Sequence, residues 1–91
     1  MVAAIFEARL SREQAERLAE LKQDGRATRP AGVLTAILLL DGDLAQLVAV
    51  WKDRDKLDRY LSTAAVPRGT ELMRKAGAEP TVRFVEVLEC G

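Results

Sequence analysis

Four charged residues interrupt segments that are otherwise apolar: Glu7 and Arg9 near the N-terminus, and Arg83 and Glu86 near the C-terminus. A buried charge without a partner costs a large free energy, so each carboxylate is expected to pair with an arginine across adjacent strands or across a subunit interface. Such pairs would specify how strands or subunits associate. The alternative is a carboxylate that serves as an acid or base in an interior pocket. The residues alone leave both possibilities open.

The chain has one tryptophan, Trp51, and one tyrosine, Tyr60. Tyr60 shares a helical stripe with Leu57 and Leu61, so its ring is predicted to pack in the core while its hydroxyl takes a hydrogen-bond partner. If that helix borders a cavity, the phenol is also suited to donate a proton or anchor a substrate. Trp51 ends an apolar segment, where its simplest role is to fill the core.

Other reactive groups are scarce, because the chain has no histidine and a single cysteine, Cys90. The commonest acid and base near neutral pH is therefore missing, as are nucleophile pairs of the Ser/His or Cys/His type. Asp41-Gly42-Asp43 fits a turn better than a calcium loop, which needs more ligands, and no glycine pattern typical of phosphate binding occurs. The sequence predicts neither a metal site nor a bound cofactor.

Charge and composition argue against large charged partners. Fourteen Lys and Arg balance fourteen Asp and Glu, which leaves a net charge of zero and no field to attract nucleic acid. No apolar run approaches the roughly 20 residues needed to span a bilayer. The lone Cys90 cannot form an internal disulfide, which fits a reducing compartment. We expect a cytoplasmic protein that binds neither nucleic acid nor membrane.

Four segments have the apolar pattern of β-strands. Asp41-Gly42-Asp43 separates the second from the third and favours a hairpin, which makes those two strands antiparallel neighbours. The predicted strands are 2–10, 33–40, 44–51 and 81–89.

Helical segments fill the gaps between these strands. Ser11 begins a capping box and Gly25 ends the first helix. Asp53 caps a second helix, which Pro67 interrupts before a further segment that ends near Gly77. The order β-α-β-β-α-β predicts one α+β domain over residues 1–91, with a ferredoxin-like four-stranded antiparallel sheet and both helices on one face.

The middle strands are apolar on both faces. Val33 to Leu40 contains one polar residue, Thr35, and Leu44 to Trp51 contains only Gln46. A sheet with one wet face would show polar residues at every second position. Because the helices cover one face only, the sequence predicts a homodimer through the open sheet face, with the two sheets enclosing a barrel.

Pro30-Ala31-Gly32 opens the second strand and is followed by the apolar hairpin. The third strand ends in Val50-Trp51-Lys52-Asp53-Arg54-Asp55, with Leu57 and Tyr60 in the next helix. On these residues the stretch from Pro30 to Val87 resembles the antibiotic biosynthesis monooxygenase-like families of small dimeric α/β barrels. This fold hosts cofactor-independent oxygenases of quinol-like compounds, haem-degrading enzymes, isomerases and ligand-sensing domains, so the fold alone does not select a function.

The resemblance implies roles for individual positions. Trp51 matches the tryptophan that such oxygenases keep at the end of strand three, where its indole can flank a substrate and direct an N–H at a developing oxyanion. Leu47 stands where those oxygenases tend to place an asparagine, and this chain has no asparagine. The absence of histidine removes the axial ligand that the haem-degrading relatives use.

The resemblance therefore implies a cofactor-independent monooxygenase-like protein acting on a small apolar or aromatic compound. The alternative is a non-catalytic dimeric module that binds a small ligand or only assembles, which the missing asparagine and histidine favour. The pocket is expected between sheet and helices, with Trp51 and Tyr60 as catalytic residues and with substrate-binding walls from Phe6, Leu47, Leu57 and Met73.

Overall fold

The structure is a computed structural model that describes residues 1–25 and 29–89. Four antiparallel strands form one sheet in the order β2-β3-β1-β4, and within the described ranges none of the helices is long and apolar enough to cross a membrane. In chain order the elements are β1 (Val2–Arg9), α1 (Arg12–Asp24), β2 (Val33–Asp41), β3 (Leu44–Trp51), α2 (Arg54–Thr63), α3 (Arg68–Lys75) and β4 (Thr81–Glu86).

This arrangement confirms the predicted ferredoxin-like α+β fold. The segment after Pro67 forms a separate helix, α3, so the full order is β-α-β-β-α-α-β. The last strand is shorter than predicted, because β4 ends at Glu86 and not at Glu89. Cys90 lies outside the described residues.

Side-chain caps begin the first two helices where the sequence predicts them. The Ser11 hydroxyl accepts the backbone N–H of Gln14 at 3.1 Å, and the Gln14 side chain accepts the Ser11 N–H at 2.8 Å. Asp53 accepts the backbone N–H of Lys56 at 2.8 Å at the start of α2. Each cap satisfies a helical N–H group that otherwise lacks a partner. The caps therefore fix where the chain turns from sheet to helix.

β1 is a central strand and sets which side chains face the helices. Phe6 pairs in register with Leu47 of β3 on one side and with Val82 of β4 on the other. Alternate residues of β1 therefore point into the layer between sheet and helices, where the hydrophobic core lies. Core side chains that the sheet contributes include Val2, Ala4, Phe6, Ala45, Leu47 and Trp51.

The opposite side of the sheet is the open face, and its side chains alternate with the core residues. Two of its largest apolar residues, Ile37 and Leu39 of β2, are 47% and 48% exposed. Val85 of β4 is 37% exposed. By register the open face includes Ala3, Ile5, Glu7, Thr35, Ile37, Leu39, Gln46, Val48, Val50, Thr81, Arg83 and Val85.

Candidate functional site

A cavity of about 80 Å³ lies between the sheet and the helices. Its floor comes from β1 and β3 and includes Phe6 and Leu47, whereas α2 contributes Leu57 and Tyr60. Trp51 lines it from the end of β3. The wall is thus mostly hydrocarbon and aromatic, which is the usual composition of a site for a small apolar molecule.

Trp51 and Tyr60 form an aromatic pair within this cavity. Their ring centroids are 5.2 Å apart and their planes are inclined at 38°, which is within the preferred range for stabilising aromatic contacts. Trp51 is 3% exposed. The two residues come from the end of β3 and the middle of α2, so the Asp53 cap that begins α2 positions one ring against the other.

The indole N–H of Trp51 is a hydrogen-bond donor without a partner among the described residues. Within residues 1–25 and 29–89, every fully buried side-chain nitrogen or oxygen has a hydrogen-bond partner. The indole nitrogen of Trp51 makes no hydrogen bond in that same part of the chain, so it is not fully buried. An unused donor in an apolar wall is the kind of group that orients a polar atom of a ligand.

The hydroxyl of Tyr60 is held by the first residue of α3. Its oxygen accepts the backbone N–H of Arg68 at 2.9 Å. This bond uses a lone pair of the phenol and leaves the O–H hydrogen available for donation. Tyr60 therefore combines a fixed position with a remaining donor, which suits a group that passes a proton to a bound molecule.

Close packing at Gly69 makes the hydrogen bond between Arg68 and Tyr60 possible. A Cβ atom at Gly69 would lie 2.5 Å from the ring of Phe6, far inside a normal contact distance. Glycine therefore allows the first turn of α3 to rest directly on β1. That contact also brings the backbone N–H of Arg68 within reach of Tyr60.

Three basic side chains line the cavity: Lys22 from the last turn of α1, Arg29 from the segment before β2, and Arg68 from the start of α3. All three are half-buried. The guanidinium of Arg68 donates to the carbonyl oxygen of Gly25 at 3.2 Å. Among the described residues no Asp or Glu lines this cavity, so its polar groups are dominated by positive charge.

Most of the residues expected at the site are brought together, and one is not. Phe6, Leu47 and Leu57 line the cavity together with the aromatic pair. Met73 is fully buried in the core and is not among the lining residues. It lies on the stripe of α3 that faces the sheet, at a depth where its side chain fills the interior.

Sequence reasoning missed the three basic residues and Phe84 of β4, which also lines the cavity. Lys22 and Arg68 resemble ordinary solvated helix residues in the sequence. Only Arg29 could have been suspected from the sequence. It lies beside Pro30, shortly before the second predicted strand, and so is expected near the end of that strand. Their convergence depends on tertiary packing.

The charged strand residues lie elsewhere. Glu7 accepts a hydrogen bond from Gln46 at 2.7 Å, and Arg9 pairs with Asp43. Register places Arg83 opposite Ile5 on the open face. Within the described part of the chain no pair among Glu7, Arg9, Arg83 and Glu86 forms between adjacent strands, because Glu7 bonds to Gln46 of β3 and Arg9 to Asp43 of the turn before it. Pairing across a subunit interface stays a prediction.

Comparison with protein-family models finds no match, and no curated protein sequence matches the chain. Solved structures do match. A mutant form of the cofactor-independent oxygenase SnoaB from Streptomyces nogalater aligns with a TM-score of 0.68 and 20% identity over 98% of this chain and 94% of that one. A monooxygenase from the gene ActVA-Orf6 of Streptomyces coelicolor, solved with the ligand Nanaomycin D, aligns with a TM-score of 0.69 and 18% identity over 98% and 88%.

A candidate antibiotic biosynthesis monooxygenase from Deinococcus radiodurans aligns with a TM-score of 0.64 and 18% identity over 99% of this chain and 95% of that chain. At such identities the likeness concerns the fold, and fold alone does not assign an activity. The resemblance predicted from the sequence is confirmed at that level: this chain has the fold of the antibiotic biosynthesis monooxygenase-like proteins.

Proposed function

We propose that this chain is a cofactor-independent monooxygenase-like oxidoreductase that acts on a small apolar or aromatic compound. The observation that carries the proposal is the aromatic pair of Trp51 and Tyr60 that lines one apolar cavity, with the Tyr60 hydroxyl fixed by the backbone of Arg68. The likeness to a cofactor-independent oxygenase and to a second monooxygenase supports it.

In the proposed reaction, molecular oxygen is the oxidant and the substrate supplies the electrons. A phenol-activated CH₂ group loses a proton, and the resulting electron-rich carbon forms a bond to one atom of O₂. Loss of water from the hydroperoxide then leaves a carbonyl, so that CH₂ and O₂ become C=O and H₂O. Trp51 would donate to the oxyanion of the deprotonated substrate, and Tyr60 would pass a proton to the departing oxygen.

The alternative is a non-catalytic dimeric module that binds a small ligand or only assembles. Leu47 favours it, because this side chain is buried and lines the cavity at the position where the resembling oxygenases tend to have asparagine. A leucine there offers no hydrogen bond to a substrate. The two candidates differ in one measurable property: an oxygenase consumes oxygen when it binds its substrate, whereas a non-catalytic module does not.

The open face supports a homodimer as part of the same proposal. Its exposed Ile37, Leu39 and Val85 form an apolar surface that a second copy of the chain would cover with the same residues. Association through this face leaves the cavity of each subunit on the opposite side of the sheet. We place the dimer in the cytoplasm, as the composition suggests.

Oxygen uptake with a panel of small phenols that bear a ring-activated CH₂ group tests the proposed activity. We expect saturable uptake with at least one compound, with one O₂ consumed for each carbonyl formed, and a loss of about tenfold or more in Trp51→Phe, which keeps a ring but removes the N–H. Arg59→Gln, at an exposed position outside the cavity lining, is the control. Saturable binding without oxygen uptake would favour the non-catalytic module.

A further inference from the structure

We infer that the ligand of this cavity is an amphiphilic anion: an apolar body that bears a carboxylate or an equally acidic group. This inference rests on the proposed function for the location of the pocket, and it adds the chemical class of the compound. It follows from the cluster of Lys22, Arg29 and Arg68 at an otherwise apolar wall.

The balance of charge at this cavity differs from that of the whole chain. Across the sequence, acidic and basic residues are equal in number. At the cavity, three cationic side chains line the wall and no carboxylate of the described residues does. Beside a low-dielectric wall the attraction between a cation and a bound anion is stronger than in water.

Arg68 is the best-positioned of the three cations. Its backbone N–H binds Tyr60 and its side chain binds the carbonyl of Gly25 at 3.2 Å, so the guanidinium is anchored. A guanidinium has five N–H donors in a planar fork, and the bond to Gly25 uses one. The others remain for a carboxylate, which a guanidinium binds with two parallel hydrogen bonds.

Interactions at helix ends explain only part of the cluster. A lysine in the last turn of α1 and an arginine donating to the carbonyl of Gly25 both suit the negative end of that helix. Arg29 belongs to no helix, and within the described residues it forms no ion pair, yet it lines the same cavity. Gly69, in the first turn of α3, also lines the cavity. The partial positive charge at the N-terminus of α3 also favours a bound anion there.

Matched ligands test the charge requirement directly. The fluorescence of Trp51, the single tryptophan, reports binding of phenylpropionate and phenylpropionamide, phenylbutyrate and phenylbutyramide, and hexanoate and hexanamide. Within each pair the apolar body is the same and only the charge differs. We expect each carboxylate to bind about tenfold more tightly than its amide, and its affinity to fall with ionic strength while that of the amide stays constant.

Two variants assign the effect to the cluster. Arg68→Gln removes the guanidinium and leaves the backbone N–H that binds Tyr60 in place, and Arg29→Gln has no described partner to lose. Each is expected to lower carboxylate affinity about threefold to tenfold and to leave amide affinity unchanged. Arg59→Gln removes the same charge at an exposed site outside the lining and is the matched control.

Equal affinities for carboxylates and amides would overturn the inference and leave the proposed pocket in place. An equal loss in Arg59→Gln and Arg68→Gln would also overturn it, since the effect would then belong to the general field of the protein. The absence of a saturable response to all six compounds would reject the pocket itself, and with it both proposals. Oxygen uptake is measured separately, so a failure of catalysis remains distinct from a failure of anion selection.

Discussion

The phenolic oxygen of Tyr60 accepts the backbone N–H of Arg68 at 2.9 Å, which joins the middle of α2 to the first residue of α3. This bond has two consequences. It substitutes for a side-chain cap at the start of α3, where the N-cap residue Pro67 makes no such bond. It also holds the hydroxyl at the wall of the cavity.

Removing that hydroxyl tests both consequences. Tyr60→Phe is expected to destabilise the protein by about 1 kcal/mol, because the Arg68 N–H loses its partner while the ring still packs. Urea unfolding measures the loss, and faster hydrogen exchange at the Arg68 amide locates it. Ser62→Ala is the control, since its exposed hydroxyl donates to the Arg59 carbonyl at the surface. An equal effect in both variants would contradict the capping role.

Close contact at Gly69 predicts a strongly coupled pair of residues. Gly69→Ala is expected to cost about 1–3 kcal/mol of unfolding free energy, because its new Cβ atom meets the Phe6 ring. Phe6→Leu should cost less in the Gly69→Ala background than in the wild type, since the smaller side chain makes room. If the two changes in unfolding free energy are additive in a double-mutant cycle, the side chains at positions 6 and 69 do not clash and the prediction is wrong.

The open face predicts the oligomeric state. Light scattering at micromolar concentration should give twice the chain mass of 10.0 kDa. Ile37→Lys places a charge within the proposed interface and should yield a monomer. Ala19→Lys adds the same charge at an exposed position on α1 and should remain dimeric. A wild-type monomer would contradict the proposal.

Glu79 is predicted to titrate below an ordinary glutamate. Its carboxylate receives two hydrogen bonds from Arg74, at 2.7 and 2.6 Å, and these lower the pKa of Glu79 while they raise that of Arg74. At pH values above the unfolded-state pKa of Glu79, its lowered pKa in the folded state contributes to stability. This contribution is lost as the pH falls through the folded-state pKa.

NMR titration of the Glu79 side chain measures this shift. In Arg74→Gln the pKa of Glu79 should return toward the ordinary value, whereas Arg12→Gln, which removes a partner of Glu16 on α1, should leave it unchanged. An unchanged Glu79 titration in Arg74→Gln would contradict the assigned cause.

The elements of the fold could be predicted because local signals specify them. The capping box at Ser11, the cap at Asp53 and the Asp-Gly turn at Gly42 each act over a few residues, and each appears where expected. The end of β4 was predicted too late because apolar alternation continues past Glu86, whereas the ladder with β1 stops at its pairing with Val2. Pairing depends on the partner strand, which local alternation does not report.

The site could be predicted only in its apolar part. Phe6 and Trp51 follow from strand alternation, because residues of one face share one environment. The depth of a buried residue does not follow from alternation, so Met73 could not be told from a lining residue. Arg68 could not be found at all, since its place at the cavity depends on the close approach of α3 to β1 at Gly69.

The side chain of Arg68 lies so close to Gly25 that any Cβ atom at position 25 would collide with the guanidinium. The clash is with the far end of a flexible side chain, so a larger residue at position 25 is accommodated when the guanidinium swings away. Such a substitution would break the hydrogen bond from Arg68 to the carbonyl of residue 25 and shift one of the cations that line the cavity. A change in the chain segment after α1 can therefore alter the charge distribution of the cavity without replacing any charged residue.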